Sequence, residues 1–170
     1  MPTRQILIHP DPRLKSACPP AQDPGALKDL AADMLETMYD APGIGLAAPQ
    51  IGVATRLFVM DCTEKDAPNR PMVLVNPRIV WASENLNTHE EGCLSIPDIY
   101  EPVKRPAEVR VAWQDLDGAA CEEAFNGLWA TCAQHEIDHL DGRLFIDHIS
   151  ALKRRLITQK MKKLKRSRDL

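Results

Sequence analysis

Apolar side chains follow two rhythms along this chain. Between Asp23 and Gly43 they recur every three or four residues, at Leu27, Leu30, Ala31, Met34, Leu35 and Met38. That spacing predicts a helix with one face against a core. Asp23-Pro24 supplies its start, a capping residue followed by proline at the first helical position, and Pro42-Gly43 ends it. The next segment, Gly43–Gln50, is small, apolar and glycine-bearing, and reads as a loop. Arg56–Met60 and Met72–Val75 then read as strands across the turn-rich stretch Asp66–Pro71, and Arg78–Trp81 continues the sheet beyond Pro77. The stretch 82–107 receives no element. Glu108–Trp113 alternates as a strand does. Asp115-Leu116-Asp117-Gly118 carries a hairpin signal, so Ala119–Phe125 should pair back. The helical rhythm returns after Asn126-Gly127, from about Leu128 to Leu140, with Gly142 suited to a left-handed cap. A third helix should run from an N-cap at Ser150 to about Lys165. The order predicts an α+β fold of antiparallel or mixed sheets packed around the second helix, flanked by N- and C-terminal helices. Residues 1–170 are enough for one domain with a core.

Composition narrows the class. Hydrophobic residues make up 44% and charged residues 26%, the balance of a soluble globular protein. The apolar run near the start, Ile6–Ile8, is far too short for a signal peptide, and no stretch is long enough to cross a membrane. The expected compartment is therefore the cytoplasm, where Cys18, Cys62, Cys93, Cys121 and Cys132 should stay reduced. Their odd number and irregular spacing also argue against a disulfide framework. From Ala151 onward nine bases face one acid, so the tail carries +8 and the remainder −11. An acidic body with a basic tail points to a polyanionic partner for the tail.

The second helix contains His135-Glu136-Ile137-Asp138-His139, the pattern H-E-x-x-H. At about 100° per residue, His139 lies roughly 40° round from His135 and one turn along, so both imidazoles can reach one ion. Glu136 lies about 60° from His139, close enough to address a water on that ion. Two nitrogen ligands and one carboxylate base on a helical face suit metal-assisted hydrolysis. A third protein ligand is needed if water is to keep the fourth position. Asp141, Asp147 and His148 are candidates downstream, and Cys93 upstream, in the glycine-flanked, proline-terminated segment Glu90–Pro97. Spacing alone does not choose between Cys93 and His148.

Three segments together resemble the peptide deformylase family. Gly43-Ile44-Gly45-Leu46-Ala47-Ala48-Pro49-Gln50, Glu91-Gly92-Cys93-Leu94-Ser95 and Gln134-His135-Glu136-Ile137-Asp138-His139 are similar to that family's G-x-G-x-A-A-x-Q, E-G-C-L-S and Q-H-E-x-D-H, in order and spacing. The resemblance implies that Cys93, His135 and His139 hold one divalent metal. Fe²⁺ is the family's usual native ion, and such sites also take Zn²⁺, Ni²⁺ or Co²⁺. It implies that Glu136 is the general base and then the general acid. Gln50 and the Leu94 amide would flank the developing oxyanion, and Gly45 would let the substrate backbone approach. The implied substrates are N-formylmethionyl nascent polypeptides. For a bacterial form with a C-terminal helix, the basic segment 151–170 would contact the ribosome and its rRNA. Ile44, Leu128, Trp129 and Cys132 are candidates for a methionine pocket, and Glu91 and Arg105 for a pair bracing the Cys93 segment. His9 and His89 fit no role. Two rival readings are an H-E-x-x-H endopeptidase and an RNA-binding protein with a purely structural metal.

Overall fold

The computed structural model describes residues 2–168. Seven strands and three α-helices follow in the order α1 (Lys28–Asp40), β1 (Gly45–Ala47), β2 (Leu57–Met60), β3 (Met72–Ala82), β4 (Leu86–Cys93), β5 (Ile96–Pro106), β6 (Glu108–Gln114), β7 (Ala120–Asn126), α2 (Gly127–Leu140) and α3 (Ala151–Arg168). Five strands form one sheet in the order β1-β2-β3-β6-β7, and β4 and β5 form a separate two-stranded sheet. Every pairing is antiparallel. This is the α+β architecture that the order of elements predicts.

β2 explains why that sheet sits at the centre. All four of its residues, Leu57-Phe58-Val59-Met60, are fully buried, so the alternation of a half-buried strand is missing. Leu57 and Val59 pack with Met34 and Met38 of α1, whereas Phe58 and Met60 pack with Ala130, Ala133 and Ile137 of α2. The sheet is thus covered on both faces, by α1 on one and α2 on the other. A third cluster joins Ile8, Leu14, Ile96, Val103 and Phe145 to Ile157 and Met161 on the inner face of α3.

Three expectations need correction. The first helix does not start at Asp23, because Pro24–Leu27 forms a 3₁₀ turn and the Asp23 side chain makes no capping bond. Gly43–Gln50 is more than a loop. Gly45–Ala47 is β1, the edge strand of the five-stranded sheet, and Ala48–Ile51 is a 3₁₀ turn closed by left-handed Gly52. The hairpin β4–β5 fills the stretch that received no element. Its first strand, Leu86-Asn87-Thr88-His89-Glu90-Glu91, is nearly all polar, and its second carries Pro97, Pro102 and Pro106. Prolines are excluded from central strands but tolerated where a strand has a free edge, and in a two-stranded sheet both strands have one.

Candidate metal centre

α2 is buried on almost every side, from Ala130 through Ile137 and at His139 and Leu140. It runs between the five-stranded sheet and the β4–β5 hairpin, so its few polar side chains must find partners inside the protein. Gln134 donates to the carbonyls of Pro106 and Ala130, both at 3.0 Å. His135 donates from Nδ1 to Glu91 Oε1 at 3.0 Å, which leaves the lone pair of Nε2 free. His139 Nε2 stands 3.3 Å from His135 Nε2 and 3.4 Å from Cys93 Sγ. Cys93 reaches this point because β4 carries a register shift between Glu91 and Cys93 before the turn at Leu94–Ser95. Bulges of this kind re-aim a side chain next to functional sites.

These three ligand atoms fit a metal ion. Two nitrogens bound at the usual length around a tetrahedral ion stand about 3.3 Å apart, and a nitrogen and a thiolate sulfur about 3.5 Å. The observed separations match. Cys93, His135 and His139 are the group of potential ligands that converge in this way among the described residues. His148 does not join them: its Nε2 bonds Asp138 Oδ2 at 2.8 Å. Asp141 pairs with Arg56 and Asp147 with Lys15. Of the candidates that spacing left open, the chain's path through the hairpin brings Cys93, and not His148, beside the two histidines.

Charge around the cluster favours a cation. Burial works against a charged His135, but Glu136, Cys93 and Glu91 together raise its proton affinity well above the usual value. Burial, and next to it His135, lowers that of His139. Glu91 is braced as the sequence suggested, and more strongly than a surface pair. Burial alone would raise its pKa, but hydrogen bonds from His135 and Arg105 hold it at about 2. Arg105 is itself 5% exposed and donates to both Glu91 oxygens, at 2.6 and 3.0 Å. Its third contact, 2.9 Å to Asp138, was not foreseen. A second carboxylate in a helix with a wide apolar face, one residue before His139, was the available signal.

Glu136 lies beside the cluster, its Oε2 3.9 Å from His135 Nε2, and its Oε1 is buried with no protein partner. Burial raises its pKa to about 7. Gln50 is oriented from both ends. Its Oε1 accepts from the Ala47 amide at 2.9 Å, and its Nε2 donates to Ser95 Oγ at 3.1 Å and to Cys93 Sγ at 3.5 Å. Ser95, missed by sequence reasoning, is therefore what holds Gln50 against the Cys93 turn. Leu94 seats its side chain on Gly43, where an added Cβ would meet it at 2.8 Å. The cluster opens into a cleft of about 890 Å³ lined by Ile44, Gly45, Leu94, Leu128, Cys132 and Glu136 among others. Trp129 is not part of the lining. One residue past Leu128 it turns about 100° away, and it packs instead near Phe125 with Arg70 over its ring at 5.5 Å.

A sequence profile of the polypeptide deformylase family matches residues 3–155. The chain belongs to the polypeptide deformylase family. It is 53% identical to a peptide deformylase of Mesorhizobium japonicum over 165 residues, covering 96% of this chain and 94% of that one. It is 54% identical to a peptide deformylase of Methylocella silvestris, covering 96% and 85%. Among solved structures, the peptide deformylase of Legionella pneumophila superposes with a TM-score of 0.89 at 44% identity over 98% of both chains. That of Ehrlichia chaffeensis, determined with actinonin, superposes with a TM-score of 0.93 at 36% identity over 98% and 99%. The chain is accordingly a hydrolase of a metal-dependent family, and its structure brings together a Cys-His-His cluster.

Proposed function

We propose that this chain, acting as one catalytic domain over residues 1–170, removes the formyl group from N-formylmethionine at the start of nascent polypeptides and releases formate. Cys93, His135 and His139 would hold the ion, Fe²⁺ in the cell, with Zn²⁺, Ni²⁺ or Co²⁺ suited to the same donors. When bound, a divalent cation there polarises a carbonyl and acidifies water. Glu136 takes up a proton at its carboxylate and later delivers it to the departing amine. A group held near neutrality is suited to both directions of transfer. Gln50 Nε2, with the N–H that it otherwise turns to Cys93 Sγ, and the Leu94 backbone N–H donate to the oxygen that gains charge as the formyl carbon becomes tetrahedral. Their worth lies in being aimed in advance, and the bonds from Gln50 to Ala47 and Ser95 do that aiming. Gly45 leaves room for the substrate backbone, and Ile44, Leu128 and Cys132 receive the methionine side chain.

The convergence of Cys93, His135 and His139 beside a buried, unpartnered Glu136 carries this reading. An endopeptidase using the same motif would cleave internal peptide bonds, and a structural metal would make Glu136 dispensable. The test is formate release from formyl-Met-Ala-Ser by the metal-loaded protein, with Glu136→Ala as control. Release by the wild type and its loss in the variant are expected. No release by the wild type, or full release by the variant, refutes the proposal.

The family setting also suggests a cytoplasmic enzyme working at the ribosome, with α3 as its rRNA contact. Lys160 and Lys163 are exposed on that helix. Reversing both charges should weaken ribosome binding and flatten its dependence on salt. Unchanged affinity would remove the rRNA contact from the proposal.

A further inference from the structure

α3 does more than pack against the body, because it also reaches the cleft. Near its start Lys153 pairs with Glu101 at 3.5 Å, and midway Thr158 bonds His9 Nε2 at 2.8 Å. Ten residues later Arg168 lines the cleft, together with Gln5 and Ile6 of the N-terminal segment. It is the one lysine or arginine among the cleft-lining residues described, and it makes no ion pair among the described residues. None of the acids described in the same lining forms an ion pair with it. Glu91 and Glu136 are buried, the first already paired with Arg105, and Glu90 and Asp98 are exposed on β4 and β5. Lys162 and Lys165, on the same stretch of α3, are close enough to His9 to lower its basicity.

A peptide whose first side chain is seated between Ile44, Leu128 and Cys132 continues outward along the cleft. Two or three further residues of extended chain span about 7–10 Å. A guanidinium at the rim offers paired donors to a carboxylate passing there. We propose that Arg168 is a specificity-determining residue, which favours substrates bearing a carboxylate two residues after the formylated methionine. This rests on the proposed reaction, and the test separates the two.

Three peptides distinguish the sources of the carboxylate: formyl-Met-Ala-Ser-amide, formyl-Met-Ala-Asp-amide and formyl-Met-Ala-Ser with a free terminus. At low ionic strength the wild type should show kcat/KM about threefold higher for each anionic peptide than for the neutral one. That preference should shrink at high salt. Arg168→Gln should abolish it and Arg168→Glu should invert it. Lys65→Glu makes the same charge change on the connection between β2 and β3, outside the cleft, and should leave the ratio unchanged. Affinities of the corresponding unformylated peptides, measured by calorimetry, should follow the same order. Equal ratios in the wild type and both Arg168 variants would overturn the inference, as would Lys65→Glu moving the ratio as far as Arg168→Glu. If the charge order appears in binding but no formate is released, Arg168 keeps its role and the proposed reaction falls.

Discussion

Gly45 and Glu136 touch so closely that any side chain on the strand there must displace the carboxyl. A Cβ added at Gly45 would stand 2.5 Å from Glu136 Oε2 and 2.7 Å from Cys132 Sγ. The glycine in this motif is therefore required by the position of the Glu136 carboxylate, before any substrate arrives. Gly45→Ala should push the Glu136 carboxyl aside while leaving β1 paired with β2. A displacement of about 1 Å in a catalytic group costs on the order of 10²-fold in rate. Formate-release kinetics alongside thermal melting would check this. A variant that melts normally and turns over normally would contradict it.

Glu91 links the Cys93–His135–His139 cluster to a buried charge network. Glu91→Gln keeps the volume and removes the charge that orients His135 and neutralises Arg105. Loss of one partner of a buried pair costs about 3–5 kcal/mol. Loss of a ligand's supporting carboxylate lowers metal affinity by roughly 10–100-fold. Chelator titration should find the weaker affinity, and adding a chelator should lower Tm by less in the variant than in the wild type. Adding Arg105→Leu should recover part of the stability without restoring affinity. Recovery of both would show that Glu91 acts only through Arg105.

His9 ties the N-terminal segment to α3 through Thr158 and, through its own backbone amide, to Ser95 at 2.9 Å. Burial, then Lys15, lowers its pKa from 6.5 to about 4, with Asp147 opposing and Lys165 and Lys162 adding to the shift. The unfolded chain therefore takes up a proton at higher pH than the folded one. Stability from this group is complete above about pH 6.5 and declines as pH falls toward 4. His9→Gln retains a hydrogen-bonding group without titrating. Between pH 6.5 and 4.5 the wild type should lose about 2 kcal/mol more than this variant. Parallel pH profiles of the two proteins would contradict the assignment.

α3 is docked through very few side chains, with Ile157 and Met161 its buried positions. Met161→Ala should destabilise the protein by about 2–5 kcal/mol. Exposed Leu156→Ala, on the same helix, should cost well under 1 kcal/mol. Chemical denaturation of both variants checks the contrast, and equal losses would mean that α3 is seated differently.

Legibility differed from element to element for physical reasons. α2 could be read because His135 and His139 sit one helical turn apart within one continuous segment. β6 and β7 could be read because a glycine turn joins two alternating strands, and Gly118 has the positive φ that such a turn requires. β4 and β5 could not. Their stability comes from pairing with each other and from buried partners such as Glu91, Arg105 and Val103, so neither strand has a one-sided apolar rhythm. Trp129 was misassigned to the pocket because an aromatic residue near a ligand helix looks like a wall until its direction round the helix is known.

By itself, the sequence determined that His135, Glu136 and His139 share one helical face, since a helix of regular pitch permits nothing else. With the resemblance of its three motifs, it also named the family. Only the tertiary structure shows how Cys93 meets the two histidines and how the side chains around them are aimed. Cys93 is 42 residues upstream of His135, and only the bulged β4–β5 hairpin, held to α2 by Arg105, brings its sulfur to the two imidazoles. Contacts between distant segments depend on how whole surfaces pack, and local spacing carries no record of that.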